Sequence, residues 1–198
     1  MATALQELPH FQAESRAQWR DWLKKYHKTG TGVWLVTYKK SSGGPHLPYA
    51  EAVEEALCFG WIDSKPGIVD AERTKLMYTP RKPNSVWSKV NKERLERLIA
   101  SGKMTDAGLE KIEIARQNGS WDALNKSDAL EEHPELSKAL KSNKLARKHF
   151  YAFPASIRKQ LLQWIYSAKT DATRDKRIAE TVEKAAQNIR ANQWTPKS

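Results

Sequence analysis

Apolar residues return at helical spacing between Ser15 and His27, where Trp19, Trp22 and Leu23 fall on one face. Ser15 with Gln18 reads as a capping box and Gly30 as a stop, so this segment predicts an opening helix. The period then changes. Gly32-Val33-Trp34-Leu35-Val36-Thr37-Tyr38-Lys39 is β-branched and aromatic and runs into Ser41-Ser42-Gly43-Gly44-Pro45, which predicts a strand followed by a loop. Pro48 opens a second predicted helix that reaches Phe59 and ends at Gly60. Trp61 to Ser64 predicts a strand, Lys65-Pro66-Gly67 a turn, and Arg73 to Thr79, which alternates in part, a further strand.

From Ser88 onward the pattern is helical. Val90, Leu95, Leu98 and Ile99 form a stripe ending at Gly102, and Thr105 can cap the next helix, which carries Leu109, Ile112 and Ile114 and stops near Gly119. Further helices are predicted over 134–141, 144–152, 154–168 and 171 to about 191, with Pro134 and Pro154 at tolerated first-turn positions. No solenoid-type repeat is visible. The tail Thr195-Pro196-Lys197-Ser198 is expected to fray. The fold class is therefore α+β: a small, mainly antiparallel sheet with packed helices, followed by a mostly helical C-terminal half. The expected division is an α+β part over 1–84 and a helical part over 85–198, packed as one compact unit.

Composition narrows the class. The 198 residues are 39% hydrophobic and 29% charged, with eight Trp, which expects a folded globular chain. No stretch approaches the roughly 18–20 apolar residues of a membrane span. Met1 to His10 contains Glu7 and lacks an apolar run of signal length. With one cysteine, Cys58, no intrachain disulfide or cysteine cage forms. These features expect a cytoplasmic protein. A net charge of +11 favours an anionic small molecule, an acidic partner, nucleic acid or an anionic membrane surface, without choosing among them.

Three stretches together resemble the YdeI/OmpD-associated family, also labelled bacteriocin-protection proteins. The first is Tyr49-Ala50-Glu51-Ala52-Val53-Glu54-Glu55-Ala56-Leu57-Cys58-Phe59-Gly60-Trp61-Ile62-Asp63-Ser64. The second is Thr79-Pro80-Arg81-Lys82-Pro83 with Ser85, Trp87-Ser88 and Asn91. The third is Arg177-Ile178-Ala179-Glu180-Thr181-Val182 with Ala185, Asn188 and Asn192. The similarity runs from about Trp19 to Trp194. It implies an association with tolerance of bacteriocins and cationic antimicrobial peptides; some members are described as periplasmic. It brings no catalytic residues with it.

Read for chemistry, the junction after the predicted sheet gathers Arg81, Lys82, Ser85, Trp87, Ser88, Lys89 and Asn91 at a helix start, with Lys39 a further cation. Free N–H groups and the partial positive charge of a helix start, completed by Arg and Ser side chains, make an anion cradle. The same serines also serve as plain caps. No glycine-rich phosphate loop is present. From Leu136 to Thr170 there is no Asp or Glu, while Lys144, Arg147, Lys148, Arg158 and Lys159 are interleaved with His149, Phe150, Tyr151, Phe153, Trp164 and Tyr166. This composition fits single-strand nucleic-acid contact, or a solvated face backed by core aromatics. The helix–turn–helix layout from Leu95 to Gly119 is shared by many helical proteins.

Glu55, Asp63, Cys58 and Lys39 form a third set that a cleft between sheet and helices would turn into an enzyme site, with Lys39 or Arg81 as partner of the acids and His46 as a base brought to Cys58 by folding. Cys58 between Leu57 and Phe59 also reads as a packed thiol. His10, His27, His46, His133 and His149 lack ligand spacing, so neither a metal nor a cofactor is expected. The resulting expectation is a non-catalytic binder of an anionic ligand or partner, with a nucleic-acid-binding protein and a pocket enzyme as alternatives.

Overall fold

A computed structural model describes residues 8–193. The readings of the leading residues up to Glu7 and of the 195–198 tail, and the Trp194 end of the resemblance, lie outside it. The chain divides into two units, 1–122 and 123–198.

The first unit is built on a four-stranded sheet of order β1-β2-β4-β3, where β1 is His10–Gln12, β2 Val33–Tyr38, β3 Trp61–Ile68 and β4 Arg73–Pro80. β1 runs parallel to β2, and the other two pairings are antiparallel. Register puts Leu35 opposite Leu76, Thr37 opposite Thr74, and Asp63 opposite Tyr78. Side chains alternate across a strand, so Val33, Leu35, Leu76, Tyr78 and Asp63 share one face.

Helices α1 (Arg16–Tyr26) and α2 (Tyr49–Cys58) cover the Val33–Tyr78 end of that face. Ser15 caps α1 by accepting from the Gln18 N–H, as the sequence predicts, and Gln18 Oε1 accepts from the Glu14 N–H. Trp19 and Leu23 are fully buried, and the Trp19 ring packs 5.2 Å from Tyr78. Its indole N–H donates to Ala52 O at 3.0 Å, which ties α1 to α2.

Two local readings are corrected. Lys65-Pro66-Gly67 is not a turn but part of β3, where the pairing shifts register between Asp63 and Pro66. β3 is an edge strand, so proline's missing N–H removes nothing from the ladder. The chain reverses one step later, where Asp70 Oδ1 accepts from the Glu72 and Arg73 N–H groups. Thr105 precedes its helix as predicted, but its hydroxyl donates to Cys58 O rather than capping.

Helices α3 (Lys89–Ala100) and α4 (Asp106–Gln117) pack against α2 within this same unit. The sequence assigns them to the helical part, yet Leu95, Leu98, Ile112 and Ala115 join the core of Leu57, Trp61 and Trp87. The contact is close at Gly108: a Cβ there would lie 2.4 Å from Cys58 O.

The second unit is helical: α5 (Asn125–Asp128), α6 (Pro134–Ser142), α7 (Lys144–Ala152), α8 (Ala155–Tyr166) and α9 (Asp171–Ala186). Leu136, Leu140, Phe150, Leu161, Ile165 and Ile178 form its core. α9 stops short of the predicted Ala191. Asn188 takes a left-handed conformation at φ 58°, and the Asn188 and Ile189 N–H groups fold back to Ala185 O and Lys184 O, a Schellman ending.

Gly108→Ala is expected to destabilise the protein by about 3 kcal/mol, because backbone cannot yield as a side chain does. Gly102→Ala, at φ 65° with open space beyond it, is expected to cost only about 1 kcal/mol. Urea unfolding of both variants checks the ranking, and equal losses would contradict the packing of α4 on α2.

Candidate functional site

Beyond the cover of α1 and α2, the same sheet face is open. A cavity of about 930 Å³ lies there. Its floor is Leu35 and Thr37 of β2, Thr74, Leu76 and Tyr78 of β4, and Pro66 and Ile68 of β3. Its walls are Tyr49 and Ala52 from α2 and Lys39, His46 and Leu47 from the loop before it. Two cross-strand pairs, Leu35–Leu76 and Thr37–Thr74, put the apolar floor in place, so register rather than proximity in sequence makes the site.

Polar groups converge at one end. Tyr49 Oη donates to Asp63 Oδ2 at 3.0 Å. Tyr78 is fully buried, and its hydroxyl has no hydrogen-bond partner. Burial, and then the Asp63 charge, push the Tyr78 phenol far above its ordinary value; the same two causes raise Tyr49. Both phenols therefore stay protonated: Tyr49 donates to Asp63, and the Tyr78 O–H meets no acceptor among the described residues. Asp63 is half-buried and lies opposite Tyr78 on the neighbouring strand.

At the cavity's outer end, Lys39 Nζ donates to Ala71 O at 2.7 Å, so its ammonium closes the β3–β4 turn. The His46 ring contacts Tyr38 O at 2.7 Å through Nδ1. A second hollow, of about 910 Å³, lies against Phe11, Trp22 and Tyr26. Its charged edge is Asp21, paired with Lys24 at 3.1 Å, and Lys25, whose ammonium lies 5.2 Å from the Tyr26 ring centre.

The predicted anion cradle is only partly assembled. Arg81 is buried, not presented at an exposed entrance, and its guanidinium lies 3.4 Å over the Trp87 ring. Burial pulls its pKa down to about 10, with Asp63 opposing the shift. Ser88 caps α3 by accepting from the Asn91 N–H, and Asn91 Oδ1 accepts from Arg94. Lys82 and Lys89 are exposed and Ser85 half-buried. Lys39 stands apart from this set, in the sheet-face cavity.

The enzyme set divides in the same way. Asp63 and Lys39 line the cavity; Glu55 and Cys58 do not. Glu55 is 2% exposed and takes Arg16 Nε at 2.6 Å and Arg20 Nη1 at 2.5 Å, so its partners are these two arginines and not Lys39 or Arg81. Cys58 is fully buried, and burial raises its thiol pKa, with the Glu55 charge next in effect. His46 is held at Tyr38, not at the thiol.

In the second unit, Lys144, Arg147 and Lys148 are exposed on α7 at positions that share one face. Arg158 is half-buried, and Lys159 pairs with Asp128. The interleaved aromatics turn inward: Phe150 and Phe153 are core, Trp164 carries Arg177 over its ring, and Tyr166 donates to Glu131 O. His149 is held against Ala185 O, which leaves Tyr151 as the exposed ring of the set. Among the described residues no group of three or more His, Cys, Asp or Glu could hold a metal, and no helix is long and apolar enough to cross a membrane.

Comparison with known families adds an assignment to this geometry. Residues 11–111, just over half of the chain and including every strand but the first residue of β1, match a domain of unknown function (DUF8412). The chain belongs to the DUF8412 family. Residues 129–188 match the family described as bacteriocin-protection, YdeI or OmpD-associated, the family that the sequence resembles. The DUF8412 match thus holds the sheet-face cavity, and the YdeI/OmpD-associated match holds α6 to α9. Neither the curated proteins nor the solved structures gave a match.

Tyr49, Leu76, Ile68 and Tyr78 are the site residues that sequence reasoning missed. The alternation of Thr74, Leu76 and Tyr78 in β4 was visible; what they face was not. The buried thiol makes a direct prediction. Cys58 in the native chain is expected to resist an aromatic disulfide reagent for hours and to react within minutes in denaturant. Rapid reaction of the native protein would restore Cys58 as a candidate nucleophile.

Proposed function

We propose that the protein is a binding protein for a small, uncharged, mostly apolar molecule that carries a hydrogen-bond donor at one end. The observation that carries this reading is the sheet-face cavity, whose apolar floor ends at the Asp63 carboxylate. A largely apolar hollow with a few convergent polar groups is the usual form of a small-molecule site. Leu35, Leu76, Pro66 and Ile68 supply the surface that an apolar body would cover. Asp63 supplies an acceptor, and an anionic head group placed there would meet a like charge.

The expected anionic ligand therefore has its support elsewhere, at Arg81. The role in bacteriocin or antimicrobial-peptide tolerance rests on the family description of the 129–188 match. It is compatible with a binding protein but does not require one. The enzyme alternative keeps Asp63 and Lys39 in the cavity and loses Glu55 and Cys58.

N-phenyl-1-naphthylamine, an uncharged apolar fluorophore with one N–H, tests the proposal. Its emission is expected to rise on titration with the full chain. Leu76→Trp, which fills the floor, should reduce that rise about tenfold or more, and Asp63→Asn should weaken binding by about threefold to tenfold, the loss of one charge-assisted hydrogen bond. An unchanged titration for both variants, or no rise with the native protein, would refute the reading.

A further inference from the structure

Two side chains at opposite ends of the loop from β4 into α3 hold polar groups that neither the fold nor the cavity uses. Arg81 is 3% exposed and Trp87 1%. The Arg81 guanidinium donates once, from Nη2 to Val86 O. Its Nε and Nη1 are buried and have no hydrogen-bond partner, and the same holds for Trp87 Nε1. The guanidinium stacks on the Trp87 ring at 3.4 Å, so the indole N–H leaves the edge of the very ring on which the guanidinium lies. Neither residue lines the sheet-face cavity.

The charge is as conspicuous as the hydrogen bonds. Among the described residues Arg81 makes no ion pair, whereas the buried Glu55 is held by two arginines. Asp63 is the acid whose charge reaches Arg81, and it is engaged by Tyr49. Even with burial drawing its pKa down to about 10, the guanidinium is cationic at neutral pH. An enclosed cation without a partner is costly. The ring face under it offsets part of that cost, since a cation over Trp is attracted to the ring quadrupole. A neutral acceptor would satisfy the N–H groups and leave the charge. An anion satisfies both.

We propose that this enclosure is a binding site for a small monovalent anion of the halide, nitrate or formate class, held by the free N–H groups of Arg81 with the Trp87 indole N–H as a further donor. All the unsatisfied groups are donors, which excludes a cation. Enclosure to a few per cent selects an ion of a few atoms over a larger anion such as a nucleotide or a dicarboxylate. The site narrows the broad anion cradle expected from sequence to two side chains: Lys82 and Lys89 point to solvent, and Ser88 is spent as a cap. It is independent of the small-molecule reading of the cavity.

The test uses the full chain at constant ionic strength, with sodium chloride replacing sodium gluconate, whose anion is too large to enter. Tm is expected to rise with chloride, by about 5 °C or more at a hundredfold excess over Kd, and the chloride NMR line to broaden on adding protein. Arg81→Met, which keeps the length and removes the charge, should abolish both effects. Trp87→Phe, which keeps a ring under the guanidinium and removes one donor, should raise Kd several-fold. If Arg81→Met does not fold, the native series and Trp87→Phe decide the matter. The proposal is overturned if native Tm is the same in chloride, nitrate and formate as in gluconate, or if either variant that folds broadens the chloride line as the native chain does.

Discussion

Strand β4 is the constraint on which the first unit depends. It lies between β2 and β3, and its antiparallel registers with both decide which side chains share a face. A slip of one residue would turn Tyr78 and Leu76 outward and bring Met77 and Lys75 in. The register is held by burial at one end, where Tyr78 packs on Trp19, and Trp19 in turn hydrogen-bonds to α2. The helices cover only that end. The uncovered remainder of the same face is the cavity. Core and candidate site are thus two stretches of one surface, separated by where α2 begins.

Among the described residues, the two buried charged side chains of this unit are handled in opposite ways. Glu55 is neutralised from within, by Arg16 and Arg20 reaching across from α1. That arrangement joins α1 to α2 and leaves Glu55 no acceptor role toward a substrate. Arg81 has a ring and one carbonyl, but no counter-charge among the described residues. A fold that neutralises one buried charge so thoroughly makes the other stand out as a place prepared for a partner.

Much of the architecture was legible from the pattern of apolar positions. The capped start at Ser15, the strand at Val33–Tyr38, the helix ending before Gly60 and the helices beyond Pro134 follow from local rules. β1 was not legible, because three residues carry no period and become a strand only by pairing with β2. Pro66 reads as a turn residue because an edge strand with shifted register arises from pairing and not from local chemistry. α3 and α4 read as part of the helical half, since nothing in their sequence reveals that Gly108 lets α4 approach Cys58. The site was legible only in part. A basic loop reads as surface, and the burial of Arg81 is a tertiary fact created by Trp87. Tyr49 and Tyr78 carry no site signal of their own, because a tyrosine in a sequence does not say whether its hydroxyl finds a partner.

On the reading proposed above, the open stretch of the sheet face binds a small apolar molecule with a donor end. Amide chemical-shift mapping with indole, which has an apolar body and one N–H, addresses it most directly. Shifts are expected to gather at Leu35, Thr37, Asp63, Ile68, Thr74, Leu76 and Tyr78. Shifts gathered instead around Phe11, Trp22 and Tyr26, or none at millimolar indole, would contradict it.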